Sequence, residues 1–374
     1  MESILSLFHE IAADPRSYIR KKRDESGKKV VGYFCSYAPD ELIHAAGAIP
    51  FRIFGSKGEI TLADAHLQSY CCSLVRGGLE DALAGRLDFL DGTLFPHTCD
   101  SIQRLSDIWR LNTGFSFHVD AVLPVKLDTQ SARDYMVDVL NDVKKRLESG
   151  LGVKIEKNDL ISSIRIFNRI RSALRSLYGM RSKCPSLFPP SAIHDIMVAA
   201  MVMDREEFAD RVDALLKKTK ASANGNTGNR GKRIMITGGI CSHPDIYGLL
   251  AASGGDVVYD DLCTGFRYAD GNIATDIDPI EAVADRYIGR IVCPAKHLSN
   301  RARAESLVSA AKEHRADGVI FLLLKFCDPH AFDYPYLKQA LDDAGIPSLL
   351  LEVEDRMPPE GQLMTRLETF TGML

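Results

Sequence analysis

An α/β fold of two doubly wound parallel-sheet lobes joined by a helical layer is expected from three observations. Short apolar runs rich in Val, Ile and Phe alternate with helical patterns from about residue 29, the alternation stops after about residue 130, and it resumes after a glycine-rich stretch at 221–232. At 374 residues the chain exceeds what one hydrophobic core usually serves, so more than one domain is expected.

In the first lobe, 1–130, the runs KKVVGYFCSY, IPFRIFG, DGTLF and HVDAVLPVKL read as strands, and PDELIHAAGA and SIQRLSDIWRL as helices opening on Pro-Asp or Asp-Ser caps. From Ser131 the strand signal is gone. Tyr135, Val139, Leu140 and Val143, then Ile161, Ile164, Phe167 and Leu174, recur at helical spacing, so 131–229 reads as a helical connector and linker. Its prolines make CPSLFPPS, 184–191, a loop. ASANGNTGNRGK, 221–232, is small, polar and glycine-rich, as linkers are.

The second lobe, 230–374, offers RIMITG, DVVYDD, GRIVCP, DGVIFLLL and IPSLLLEVE as strands, with helices from Pro244, near Ile280 to Tyr287, around Arg303 to Glu313 and from Tyr334. FLLL and SLLL are apolar on both faces, as central parallel strands are when helices cover both sides. Rossmann- or flavodoxin-like lobes facing each other are therefore expected.

Bulk composition narrows the function classes. A formal net charge of -4 gives no electrostatic reason to expect nucleic acid or an anionic membrane as partner. The N-terminus has the wrong charge order for a secretory signal and no apolar stretch suffices to span a bilayer, so a cytoplasmic location is expected. TGGICSHPD is not a dinucleotide-binding glycine pattern, and P-loop and Gly-x-Ser-x-Gly motifs are missing.

Nine cysteines in such a chain need a reason other than disulfides. In open parallel sheets ligands bind beyond the carboxyl ends of the strands. Cys99 follows DGTLF, Cys327 follows GVIFLLL, Cys263 follows DVVYDDL, Cys241 follows RIMITG, and Cys72 opens a helix. A helix N-terminus stabilises a thiolate and any anionic cluster it holds. Cys-x-x-Cys and closely spaced histidines are missing, which argues against zinc, and adjacent Cys71 and Cys72 make a poor chelate, so one of the two is expected to bind. On spacing alone, buried structural thiols and an iron-sulfur centre both remain open. His97, His243 and His330 sit beside cysteine loops, as proton donors or as loop histidines satisfied by backbone.

GYFCSYAPDELIHAAGAIPFRIFG (32–55), SYCCSLVRGGLEDAL (69–83), LFPHTCDSIQRLSDIWR (94–110), YDDLCTGFRY (259–268) and FLLLKFCDPHAFDYPYLK (321–338), in this order, resemble the 2-hydroxyacyl-CoA dehydratase and benzoyl-CoA reductase family. The resemblance runs nearly the whole chain. It implies a [4Fe-4S] cluster held by Cys72, Cys99 and Cys327 with one iron open, and an acyl-CoA thioester substrate bound beside it. It also implies a homologous subunit as partner, and a separate ATP-dependent iron-sulfur activator that delivers one low-potential electron for a ketyl radical step. The activity implied is 2-hydroxyacyl-CoA dehydration or aromatic ring reduction.

Ser36, Tyr37 and Glu41, with His97 behind them, are the candidates for proton handling; Glu41 as a first-turn carboxylate and Ser36 as a turn residue are equally consistent. Cys35, Cys263 and Cys293 exceed the three ligands one cluster needs. A homodimeric reductase with a double-cubane iron-sulfur cluster, or a subunit that only relays electrons, is the alternative.

Overall fold

The computed structural model describes residues 1–55, 58–222, 231–241, 245–290, 293–296, 299–354 and 359–374. Two separate four-stranded sheets, parallel throughout, form the two lobes. The first comprises β1 (Val30–Tyr33), β2 (Ile49–Arg52), β3 (Gly92–Pro96) and β4 (Phe117–Ala121), in the order β2-β1-β3-β4. The second comprises β5 (Lys232–Gly238), β6 (Gly255–Asp261), β7 (Gly318–Leu324) and β8 (Ser348–Val353), in the order β6-β5-β7-β8. The order is the same in both lobes: the chain steps outward to one side of its first strand, then crosses to the other. Each lobe thus has one point where the direction of winding reverses, between β1 and β3 and between β5 and β7.

β1, β2 and β3 are buried along their whole length, as strands covered on both faces must be. Gly238 ends β5 where a Cβ would meet the Leu322 carbonyl oxygen at 1.9 Å, so only glycine permits β7 to approach that closely.

The connector is helical as expected, with helices Gln130–Leu151, Lys157–Lys183, Ala192–Val202 and Arg205–Ser222 and a short 3-10 turn, Pro185–Leu187, in the proline loop. Most of the glycine-rich linker, 223–230, lies outside the described residues. The strand expected at GRIVCP centres on 291–292, which lie outside the described residues; helix Pro279–Gly289 runs up to Arg290. One expectation needs correction. The last-but-one helix begins at Asp328 rather than Tyr334, because Pro329 suits the first turn and Pro335 is tolerated inside.

The lobe boundary is also less simple than the alternation of patterns implies. Ile280, Val283 and Tyr287 of helix Pro279–Gly289 belong to one buried cluster with Met136, Leu140 and Val143 of the connector and Val31, Tyr33 and Leu94 of the first sheet. A second core runs from Val30 and Phe51 through the connector's Ile170, Leu174 and Met197 to Ile234, Ile236 and Leu322 of the second sheet.

A buried ionic knot ties these layers together. Glu41, in the first turn of helix Asp40–Ala45, has no exposed surface and pairs with Arg171 of the connector. Arg286 stands 3.8 Å from the same carboxylate, and the Tyr287 hydroxyl lies 3.3 Å from it. Burial pushes Glu41 up, but Arg171 and Arg286 outweigh it and hold the carboxyl below its ordinary range. Its neighbour Asp40 shifts the other way, raised by burial and by the adjacent Glu41 charge, while accepting from Tyr268 at 3.0 Å and facing Arg205 at 3.7 Å. Arg171→Met leaves Glu41 buried without its main partner, and the expected loss in a urea titration is about 3–5 kcal/mol. The double variant Glu41→Leu, Arg171→Met should recover most of it; an equal loss in both would show that packing, not charge, is what Arg171 supplies.

Candidate functional site

Thiols gather at both winding reversals. In the first lobe β1 leads through Phe34 to Cys35, and β3 leads to Cys99; in the second lobe β7 leads to Cys327. Cys72, Cys99 and Cys327 each occupy the N-cap of a helix: Ser73–Leu83, Asp100–Asn112 and Asp328–Asp343. Three helix N-termini therefore direct partial positive charge and unpaired amides toward sulfur. Cys35, with φ 58°, and Phe326, with φ 64° just before Cys327, are non-glycine residues in left-handed backbone. Each costs about 1–2 kcal/mol, offset by the surrounding packing.

The electrostatics show which thiols share space. Burial pushes Cys99 up to about 12, the Ile102 amide opposes it, and Cys72, Cys35 and Cys293 add to the shift. Burial likewise lifts Cys327 well above its ordinary value, with Cys72, Cys99 and Cys263 contributing. Every pair among Cys72, Cys99 and Cys327 is thus in mutual range. Cys293, pushed to about 11 by burial, feels Cys263 and Cys35 as well. Cys263 goes the opposite way: burial would raise it, but Arg267 and Arg52 outweigh that and depress it, with Arg267 Nη1 at 3.6 Å from the sulfur.

None of the nine cysteines is in a disulfide. Among the described residues no three His, Cys, Asp or Glu side chains converge as ligands of a single ion do. Cys35, Cys72, Cys99, Cys263, Cys293 and Cys327 are instead linked by their mutual influences. Cys71 lies by Gln68 and hydrogen-bonds Ser101 in the first turn after Cys99, and the Cys241 carbonyl accepts from His194 at 2.8 Å.

The proton-handling candidates are placed unequally. Ser36 is buried and hydrogen-bonds the Cys263 thiol, while its carbonyl accepts from Arg290. Tyr37 lies under Arg290 at 4.9 Å and Lys296 at 5.7 Å, and its hydroxyl has no partner among the described residues. His97 follows β3 two residues before Cys99, with Nε2 2.8 Å from Asp120 Oδ1. Glu41 is enclosed in the ionic knot and influences none of the thiols described above. His330, on the first turn after Cys327, is held well below its ordinary value by burial and by Arg267 and Arg303. His243 lies outside the described residues.

Sequence reasoning missed Arg52, Arg267, Arg290, Lys296 and Asp120. An arginine in the apolar strand IPFRIFG was the available signal, because a charge buried there needs a purpose.

A chain of two four-stranded parallel sheets, each with a winding reversal and with cysteine loops after its strands, is a two-lobed α/β protein. Comparison makes this specific. Residues 35–374 match the model of the family described as 2-hydroxyglutaryl-CoA dehydratase, D-component, and the chain belongs to that family. It is 28% identical to the (R)-phenyllactyl-CoA dehydratase beta subunit of Clostridium sporogenes, over 98% of this chain and 97% of that one. It is 28% identical to the lactoyl-CoA dehydratase beta subunit of Anaerotignum propionicum, over 100% and 99%. To a benzoyl-CoA reductase subunit of Thauera aromatica it is 29% identical, over 87% and 86%. No helix among the described residues is long and apolar enough to cross a membrane.

Asp120 offers a test of the His97 side. Burial would raise its carboxyl, but His118, Ser106 and His97 hold it far below the ordinary value. A depressed carboxylate stabilises the fold above the unfolded pKa of about 3.9, and the contribution fades as pH falls through the folded value. Asp120→Asn should therefore be destabilised at neutral pH, with the gap to the parent protein closing below about pH 4 in urea unfolding followed across pH.

Proposed function

We propose that the chain is the cluster-bearing subunit of a radical acyl-CoA enzyme, with a [4Fe-4S] cluster on Cys72, Cys99 and Cys327. The observation that carries this is the placing of those three thiols on three helix N-caps, in mutual electrostatic range and contributed by both lobes. The donor set fits the group. Soft sulfur ligands from remote loops suit a cubane whose corners hold its ligands apart, and helix N-termini offset the negative charge of a thiolate-bound cluster.

Bound there, the cluster would supply one-electron chemistry at low potential and an open iron as Lewis acid. The chain's residues do the rest. The lobes and the connector exclude water, the three N-termini favour sulfur as thiolate, Ser36 lies beside Cys263, and His97 is oriented by Asp120 to hold a proton near Cys99. Glu41 serves in positioning, because it anchors the helix after β1 and with it the Cys35–Ser36 loop. An acyl-CoA thioester as substrate, a homologous subunit as partner and a separate ATP-dependent activator as electron source agree with relatives that are subunits of acyl-CoA dehydratases and of benzoyl-CoA reductase. The reading covers 2-hydroxyacyl-CoA dehydration and ring reduction alike.

One observation favours a second reading. Cys35, Cys263 and Cys293 form another set bordering the first, with Cys35 and Cys293 acting on Cys99 and Cys263 acting on Cys327. Six thiols would accommodate a double-cubane cluster. Iron and acid-labile sulfide on anaerobically purified protein separate the two: about four of each per chain for one cubane, about eight for two. Cys99→Ala should lose the visible absorption with unchanged far-ultraviolet circular dichroism. Cys263→Ala should keep all its iron under the first reading and lose about half under the second. A Cys99→Ala protein with full iron would remove the ligand assignment.

A further inference from the structure

Buried positive charge exceeds buried negative charge around the thiols. Arg267 is answered by Asp261 through hydrogen bonds of 2.5 and 2.8 Å, and Arg303 by Asp333 at 2.6 Å. Arg52, Arg290 and Lys296 are 0%, 6% and 1% exposed, and among the described residues none of them has a carboxylate partner. Arg52 Nη1 donates to the Cys263 carbonyl at 3.5 Å, while its Nε and Nη2 have no acceptor among the described residues. Arg290 donates to the carbonyls of Ser36 and Arg267. Lys296 Nζ donates to those of Pro124 at 2.9 Å and Leu123 at 3.5 Å.

Carbonyls bring dipoles, not charge. A buried cation without an opposite charge is costly, so the surplus makes sense only against a negative occupant of the space it faces. That space is the sulfur site: Arg52 reaches the Cys263 carbonyl at 3.5 Å, Lys296 lies 5.7 Å over the ring of Tyr37, two residues from Cys35, and the charges of both act on the thiols. Iron-sulfur potentials respond to net charge and burial. A fixed cation at short range in a low dielectric stabilises whichever redox state is more negative.

We infer that Arg52 and Lys296 set the redox poise of the sulfur site, their uncompensated charge favouring the state that holds one more electron. The site then accepts an electron from a low-potential donor and retains it. This rests on the cluster reading above. In the step itself one electron moves from donor to site, no bond changes and no proton is required; in the laboratory titanium(III) citrate is the donor and is oxidised to titanium(IV).

The experiment is an EPR-monitored potentiometric titration of the anaerobically purified full chain, with iron and sulfide measured on the same samples. Arg52→Met and Lys296→Met should each shift the one-electron equilibrium at least tenfold toward the oxidised form, about 59 mV downward. Arg52→Lys and Lys296→Arg keep the charge and should titrate with the parent protein, as should Arg301→Met on the surface. If Arg52→Met does not fold, Lys296→Gln, which gives up the ammonium's bonds to two carbonyls and its contact with the Tyr37 ring, makes the same test. Full iron content with an unmoved potential in the neutral variants overturns the inference, as does an equal shift in the charge-preserving ones. Parent protein without iron overturns instead the reading on which it rests.

Discussion

A single carboxylate without exposed surface organises much of this molecule. Glu41 begins a short helix directly after β1, and its partners come from the connector and from helix Pro279–Gly289. Taking two charges out of water is unfavourable in itself, so the knot adds specificity more than stability. What it specifies is the relation between layers: the turn that carries Cys35 and Ser36 cannot shift without moving Arg171 and Tyr287. Tyr287 also donates to the Ala38 carbonyl at 2.6 Å, fastening that turn a second time.

From that fixed turn the site follows by topology. Parallel strands in a doubly wound sheet deliver their carboxyl ends to one edge, and the reversal of winding opens a crevice there. Both lobes repeat the arrangement, and Cys35, Cys99 and Cys327 follow strands at those edges. The helices that follow place N-termini where negative charge would collect. Left-handed backbone at Cys35 and Phe326 aims two of these loops at a local cost that the packed surroundings offset.

The fold class was legible because apolar periodicity changes sharply at the connector, and seven of the eight strands and the connector's helices follow directly from it; the eighth, HVDAVLPVKL, ends earlier than its pattern, at Ala121. Tyr334 misled because Pro335 imitates a first-turn proline. The placement of Cys99 after a strand and of Cys72 and Cys99 at helix starts could be read from local pattern, since capping is local, whereas the helix start at Cys327 was expected later, at Tyr334. The ionic knot could not. Glu41, Arg171 and Arg286 lie more than a hundred residues apart in part, and nothing in the vicinity of any one of them indicates its partners. The same holds for Arg52 and Lys296, whose surplus charge is visible only when the loops are assembled.

Helix Pro279–Gly289 belongs to the second half of the chain but shares a core with the first sheet. The two halves are consequently interlaced like clasped fingers, and neither could be excised at the polar linker without stripping Val31, Met136 and Leu140 of their cover. Wide hinge opening, the usual means of admitting a ligand between lobes, is therefore mechanically opposed, and the polypeptide should melt as one cooperative body.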